Sequence, residues 1–121
     1  MSVRHLLVTN DFPPKIGGIQ SYLWELWRRL PPDDVCVLTT NQDGADAWDR
    51  EQEFRIERYP TRWMTPTPRL VRRVNRLAAD HRAEVVIIDP VAPLGLAGGS
   101  LPHGFDLPMA AVIHGAEVTV P

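Results

Sequence analysis

Asn10-Asp11-Phe12-Pro13-Pro14-Lys15-Ile16-Gly17-Gly18-Ile19-Gln20-Ser21-Tyr22 is the stretch on which the fold of this chain turns. It leaves an apolar run, Leu6-Leu7-Val8, and enters a helical pattern directly. A glycine pair at such a junction lets a ligand approach the backbone closely. The first N–H groups of the helix are unpaired there, at the positive end of the helix dipole, so the junction suits a phosphate. A bare glycine pair is equally a helix cap. The spacing separates this loop from two better-known ones. No G-x-G-x-x-G follows the strand and no G-x-x-x-x-G-K-[ST] occurs, so neither the dinucleotide fingerprint nor a P-loop is present.

Outward from this loop, five runs read as strands: residues 4–9, 34–40, 54–59, 84–89 and 108–113. The third alternates Phe54, Ile56 and Arg58 against charged neighbours, and the fourth has the continuous apolar core Val85-Val86-Ile87-Ile88. Helical spacing over residues 18–30 places Ile19, Leu23, Leu26 and Leu30 on one face, and Pro31-Pro32 stops it. Pro68–His81 places Leu70, Val71, Val74, Leu77 and Ala78 together. A third helix over residues 92–101 is weakened by Gly95, Gly98 and Gly99. Residues 41–53 are polar and read as an exposed loop. The order β-α-β-β-α-β-α-β with apolar strands predicts an α/β fold. The expected form is a Rossmann-like open parallel sheet with right-handed crossovers and helices on both faces.

The chain has 121 residues, enough for one domain with a core, and a formal net charge of −2. Near-neutral charge argues against a general nucleic-acid binder, so no nucleic-acid partner is expected. The single cysteine, Cys36, lies in Val35-Cys36-Val37-Leu38 and reads as a buried strand residue in a reducing compartment. No long apolar segment follows a basic start, so no secretory leader is expected, and no run approaches the roughly 20 apolar residues of a membrane span. Lys15 is the only lysine among the basic residues.

Open parallel sheets bind ligands at the carboxyl ends of their strands. The residues predicted there are Asn10 and Asp11, Thr40 and Asn41, Asp89 and Pro90, and His114 and Gly115. Asp11 reads as a base or a contact to an acceptor hydroxyl, and equally as a turn residue before Phe12-Pro13. Asp89, before Pro90, reads first as structural, and its place at a strand end keeps it among the candidates. His114 ends the run Ala110-Ala111-Val112-Ile113 beside a glycine, where an imidazole can bond a ligand or cap local backbone. His5, His81 and His103 have no comparable setting, and no Cys/His cluster has metal-ligand spacing, so no metal is expected. On Pro68–His81, Arg69, Arg72, Arg73 and Arg76 recur at i, i+3, i+4 and i+7, a single stripe opposite the apolar face. With Trp63 just before it, the stripe suits an anionic lipid surface, and equally a solvated helix face.

Two of these motifs carry a family resemblance. Residues 10–22 resemble the first loop of retaining GT-B glycosyltransferases of the family 4 type, and most closely the phosphatidylinositol mannosyltransferases of actinobacteria. His114-Gly115-Ala116-Glu117 matches the His-Gly-x-Glu motif of the same enzymes. The resemblance implies that residues 1–121 form the N-terminal, acceptor-side half of a GT-B fold. The C-terminal, donor-binding domain of the same protein then lies outside this chain. It implies transfer of mannose from GDP-mannose to a phosphatidylinositol mannoside acceptor, with retention by a front-face mechanism. His114 is then the catalytic-site residue beside the transferred sugar. Gly17 and Gly18 meet the donor diphosphate, and Asn10, Asp11 and Gln20 shape the acceptor side. Trp63, Arg69, Arg72, Arg73 and Arg76 contact the membrane. The nucleotide sugar is a substrate, and no cofactor is implied. The implied location is cytoplasmic, peripheral on the inner face of the plasma membrane. Three other readings use parts of the same sequence. A nucleotide- or phosphate-binding module without catalysis needs only the glycine loop. A Rossmann oxidoreductase needs an acidic residue after the second strand, where Thr39-Thr40-Asn41 stands. A peripheral membrane adaptor needs only the arginine stripe.

Overall fold

The computed structural model describes residues 3–89 and 104–112. The elements run β1 (His5–Thr9), α1 (Gly18–Trp27), β2 (Val35–Thr40), α2 (Ala45–Arg50), β3 (Arg55–Tyr59), α3 (Pro68–His81), β4 (Val85–Asp89) and β5 (Met109–Ala111). The strands form one sheet in the order β3-β2-β1-β4-β5, and every pairing is parallel. This is the expected α/β, Rossmann-like arrangement. The expected helix at residues 92–101 lies outside the described residues.

Side-chain alternation divides the strands between two cores. Leu6, Val8, Cys36, Leu38, Val86 and Ile88 pack with Leu70, Val74, Leu77 and Ala78 of α3. Leu7, Val35 and Val37 point the other way, into a core with Leu23 and Trp27 of α1, Phe12 and Phe54. Helices therefore cover both faces, and β1 and β2 are buried throughout. Burial pushes the Cys36 thiol up to about 12, so the residue is a small core side chain rather than a nucleophile.

α3 obeys its sequence pattern. Thr67 Oγ1 accepts from the Leu70 amide, and Pro68 opens the first turn, where a missing N–H costs nothing. Leu70, Val71, Val74, Leu77 and Ala78 are all buried, as their spacing predicts. α1 departs from its pattern. It ends at Trp27 rather than Leu30, and its buried line is Gln20, Leu23 and Trp27. Ile19, Leu26 and Leu30 are 40%, 43% and 39% exposed. The tryptophans decide the rotation, since a buried indole removes more apolar surface than a leucine. Trp27 Nε1–H donates to His5 Nε2 at 2.8 Å, and Trp24 packs edge-on against Trp48 at 6.2 Å. The expected loop at residues 41–53 is corrected too. It contains α2, whose Ala45 is buried and whose Trp48 packs at the second core. This short helix escapes a polar reading because Trp48 is its one large apolar contact.

The amino end of the sheet is closed by Arg4 and His81. Arg4 Nη1 donates to the Asp33 carbonyl at 2.7 Å, and Nε and Nη2 donate to the His81 carbonyl at 2.9 and 2.7 Å. His81 Nε2 lies 2.9 Å from the Asp34 carbonyl, and Nδ1 lies 3.4 Å from Arg4 Nη2. A neutral imidazole protonated at Nε2 satisfies both contacts, donating to the carbonyl and accepting from the guanidinium. Burial, first, and the nearby Arg4 charge hold the His81 pKa below its usual 6.5. The unfolded chain therefore binds the proton more readily, and His81 contributes stability above about pH 6.5 that is lost as pH falls through the depressed folded value. Urea midpoints measured from about pH 7.5 down to about pH 5 should fall more steeply for the native chain than for His81→Gln. Equal slopes would remove His81 as the source.

Candidate functional site

At the carboxyl edge of the sheet, β1 ends in three polar residues with different tasks. Thr9 pairs with Asp89 across the β1–β4 ladder, and its hydroxyl donates to Asp89 Oδ2 at 3.1 Å. The same Oγ1 accepts from the Asp11 amide at 2.9 Å. Asn10 is fully buried. Its Nδ2 donates to the Met64 carbonyl at 3.1 Å, and its Oδ1 accepts the Met64 amide at 2.7 Å. The side-chain amide thus mimics a strand partner for the segment after β3. Asn10 was expected on the acceptor side, and here both polar ends of its side-chain amide hold the Met64 backbone, in the segment bearing Trp63.

The loop after Asp11 is fixed at its base and free at its tip. Phe12 is buried against Trp48 and Phe54, with ring centroids 5.7 and 6.2 Å away. The Pro13–Pro14 peptide is cis. Arg58, only 9% exposed at its side chain, reaches the loop from β3. Its Nη2 donates to the Pro13 carbonyl at 2.8 Å, and its Nη1 donates to the Thr40 carbonyl at 2.9 Å. Nε and Nη2 also grip both oxygens of Asp49 on α2, at 3.1 and 2.7 Å. One guanidinium therefore joins the first loop, the end of β2 and α2. Beyond this anchor Ile16 is 97% exposed, and the Lys15 ammonium lies 5.1 Å from the centre of the Trp63 ring.

Gly17 and Gly18 serve different purposes. A Cβ on Gly17 would stand 2.1 Å from Gln20 Oε1, so glycine is what allows the Gln20 amide to fold back beneath the loop. From there Gln20 Nε2 donates to Asp11 Oδ1 across 3.4 Å, a long contact that orients the half-buried carboxylate. A Cβ on Gly18 would meet nothing within 4 Å. Gly18 opens α1, which has no side-chain cap and no acidic residue in its first turn. The donor end of α1 is consequently unblocked beside an open backbone, as an anion requires.

The structure brings Asn10, Asp11, Gly17, Gly18 and Gln20 together with Thr9 and Asp89. Arg69, Arg72, Arg73 and Arg76 lie on the other side of the sheet, along α3. Trp63, 45% exposed, lies at the loop edge beside Lys15. His114 lies outside the described residues. Arg58, Asp49 and Thr9, which hold the loop and the strand ends, are positions the sequence reading did not single out for the site. Arg58 carried a signal: after Phe54 and Ile56 it has inward parity on β3, where a charged residue needs a buried partner.

Arg58→Met keeps the side-chain length and removes the fork. It strands the Asp49 carboxylate and two backbone carbonyls, and it should cost about 3 kcal/mol in urea denaturation. A loss below about 0.5 kcal/mol would show that the clamp is dispensable.

No family model matches the chain. Curated proteins do. The chain is 40% identical over 121 residues to the GDP-mannose-dependent alpha-(1-6)-phosphatidylinositol monomannoside mannosyltransferase of Mycobacterium tuberculosis, covering 95% of the chain and 31% of that protein. The enzyme of the same name from Mycolicibacterium smegmatis is 38% identical over 117 residues, covering 93% of the chain and 31% of that protein. The GDP-mannose-dependent monoacylated alpha-(1-6)-phosphatidylinositol monomannoside mannosyltransferase of Corynebacterium glutamicum is 34% identical over 119 residues, covering 97% of the chain and 31% of that protein. The chain thus spans about a third of the length of these relatives. The resemblance first carried by residues 10–22 therefore extends over nearly the whole chain, which is a homologue of part of the phosphatidylinositol mannoside mannosyltransferases.

Proposed function

We propose that the full-length protein containing this chain transfers mannose from GDP-mannose to a phosphatidylinositol mannoside, with retention of anomeric configuration. The observation that carries this reading is the 34% to 40% identity, over almost the whole chain, to enzymes named for that donor and acceptor. The loop chemistry is compatible with it. An open glycine at an uncapped helix N-terminus offers N–H donors to a diphosphate, whose negative charge grows as the sugar leaves. This chain forms the acceptor-side half in this reading, and a second, donor-binding domain closes over it. His114, three positions after the last residue of β5 in sequence, orients the transferred sugar. Asp11, held by Gln20, faces the acceptor, and Asn10 acts through the segment it holds. Retention follows a front-face path in which the leaving phosphate accepts the proton of the acceptor hydroxyl. No helix among the described residues is long and apolar enough to cross a membrane. Access to a lipid acceptor then depends on peripheral contact with the inner face of the plasma membrane, through Trp63 and the α3 arginines.

The test is transfer of labelled mannose from GDP-mannose to phosphatidylinositol mannoside in vesicles by the full-length protein. A more polar labelled glycolipid is expected, and its absence with active, folded protein would overturn the reading. His114→Ala should lower turnover by roughly a hundredfold with the fold intact, because sugar orientation is lost. Near-normal turnover would remove His114 from the site. Gly18→Ala should fold normally, since nothing opposes its Cβ, and should raise the KM for GDP-mannose.

A further inference from the structure

The arginines of α3 do more than form a stripe. Arg69, Arg72, Arg73 and Arg76 converge with Tyr59 and Pro60, at the end of β3, on a cleft of about 310 Å³. That volume is at the lower end of small-molecule sites, which run to about 1,000 Å³. The geometry follows from parity. Arg55, Glu57 and Tyr59 share the face of β3 turned toward α3, because Ile56 packs in the opposite core. β3 is an outer strand of the sheet, so the arginine face of α3 leans over an open edge.

Charge is distributed unevenly along this cleft. Arg73 reaches Glu57 at 3.5 Å, and Glu57 also meets Arg55 at 3.9 Å. A neighbouring hollow lined by Arg55, Glu57, Arg73, Arg76 and Asp80 carries two carboxylates. The opposite end, formed by Tyr59, Pro60, Arg69 and Arg72, has none among its lining residues. Arg69, Arg72 and Arg76 have no ion-pair partner among the described residues. Like charges at i, i+3 and i+4 destabilise a helix by a few tenths of a kcal/mol per pair, roughly 0.2–0.5. A bound anion removes that penalty, and guanidinium forks match phosphate oxygens in geometry.

We propose that the Tyr59–Arg69–Arg72 end of this cleft is a one-to-one binding site for a phosphate ester group. The inference deepens the membrane-contact reading of the α3 arginines, and rests on it for a lipid headgroup as the source of that phosphate. A soluble phosphate ester presents the same chemistry. A discrete site differs from diffuse attraction in a measurable way: one arginine in the cleft matters far more than an equal charge elsewhere on the surface.

The experiment uses the full-length protein, with GDP in excess to occupy any donor site. Glycerol phosphate is titrated by calorimetry, and phosphatidylcholine vesicles with and without phosphatidylglycerol are tested by co-sedimentation. The variants are Arg72→Gln and Arg50→Gln, both at exposed positions and each removing one charge. Saturable one-to-one binding of glycerol phosphate is expected, weakened about tenfold by Arg72→Gln and little changed by Arg50→Gln. Recruitment to phosphatidylglycerol vesicles that also falls selectively with Arg72→Gln supports the lipid source. Saturable glycerol phosphate binding without vesicle recruitment supports the site and removes the membrane reading. No saturable binding, or equal loss in the two variants, overturns the site. Vesicle recruitment persisting in that case leaves the membrane reading standing as diffuse attraction.

Discussion

The Arg58–Asp49 pair is the constraint on which the carboxyl edge of this sheet depends. A charged side chain projecting from a strand into a mostly buried space needs a partner and hydrogen-bond acceptors. Arg58 finds both, and the groups that satisfy it belong to three separate segments: Asp49 on α2, Pro13 in the first loop, and Thr40 at the end of β2. Satisfying one guanidinium therefore fixes the relative positions of those segments. The loop tip at residues 15–17 is held out from this anchor, and α1 begins where the loop returns. For a helix end to serve a phosphate it needs such support, because backbone donors act only when held at the position where charge develops.

The two faces of the sheet divide the work. On the α1 face, odd-numbered positions of β1 lead from the His5–Trp27 bond through Leu7 to Thr9, which meets Asp89 and the Asp11 amide. This line ends at the carboxyl edge of the sheet, beside the first loop. On the α3 face, even-numbered positions pack α3 tightly and leave its arginines outward over the β3 edge. The two faces meet at the segment bearing Trp63. Asn10 ties its backbone to β1, and Lys15 lies over the exposed ring. The glycine loop and the segment bearing Trp63 are thereby joined through a few direct contacts.

Much of this was legible in the residues because the strands are apolar and α3 has a clean helical period. The sheet, its parallel sense, the buried face of α3 and the outward arginines all follow from those patterns. The glycine loop was legible as a strand-to-helix junction, while the separate uses of Gly17 and Gly18 were not. They depend on where the Gln20 amide lies, a side-chain conformation that spacing does not encode. α1 misled because its leucines keep helical spacing, yet Trp24 and Trp27 turn a different line inward. Asn10 and Arg58 looked like a ligand contact and an alternating strand residue. In the fold both also hold distant backbone, across 54 and 45 positions of sequence respectively, and Arg58 pairs with Asp49 as well. Long-range hydrogen bonds of that kind leave only a parity clue, an inward-facing polar group awaiting a partner.

The most direct test is a crystal structure of the full-length protein with GDP bound. The account predicts diphosphate oxygens within hydrogen-bond distance of the Gly18 backbone at the start of α1, with Arg58 still bonded to the Pro13 carbonyl. A diphosphate bound away from this loop, or a loop released from Arg58 in the complex, would contradict it.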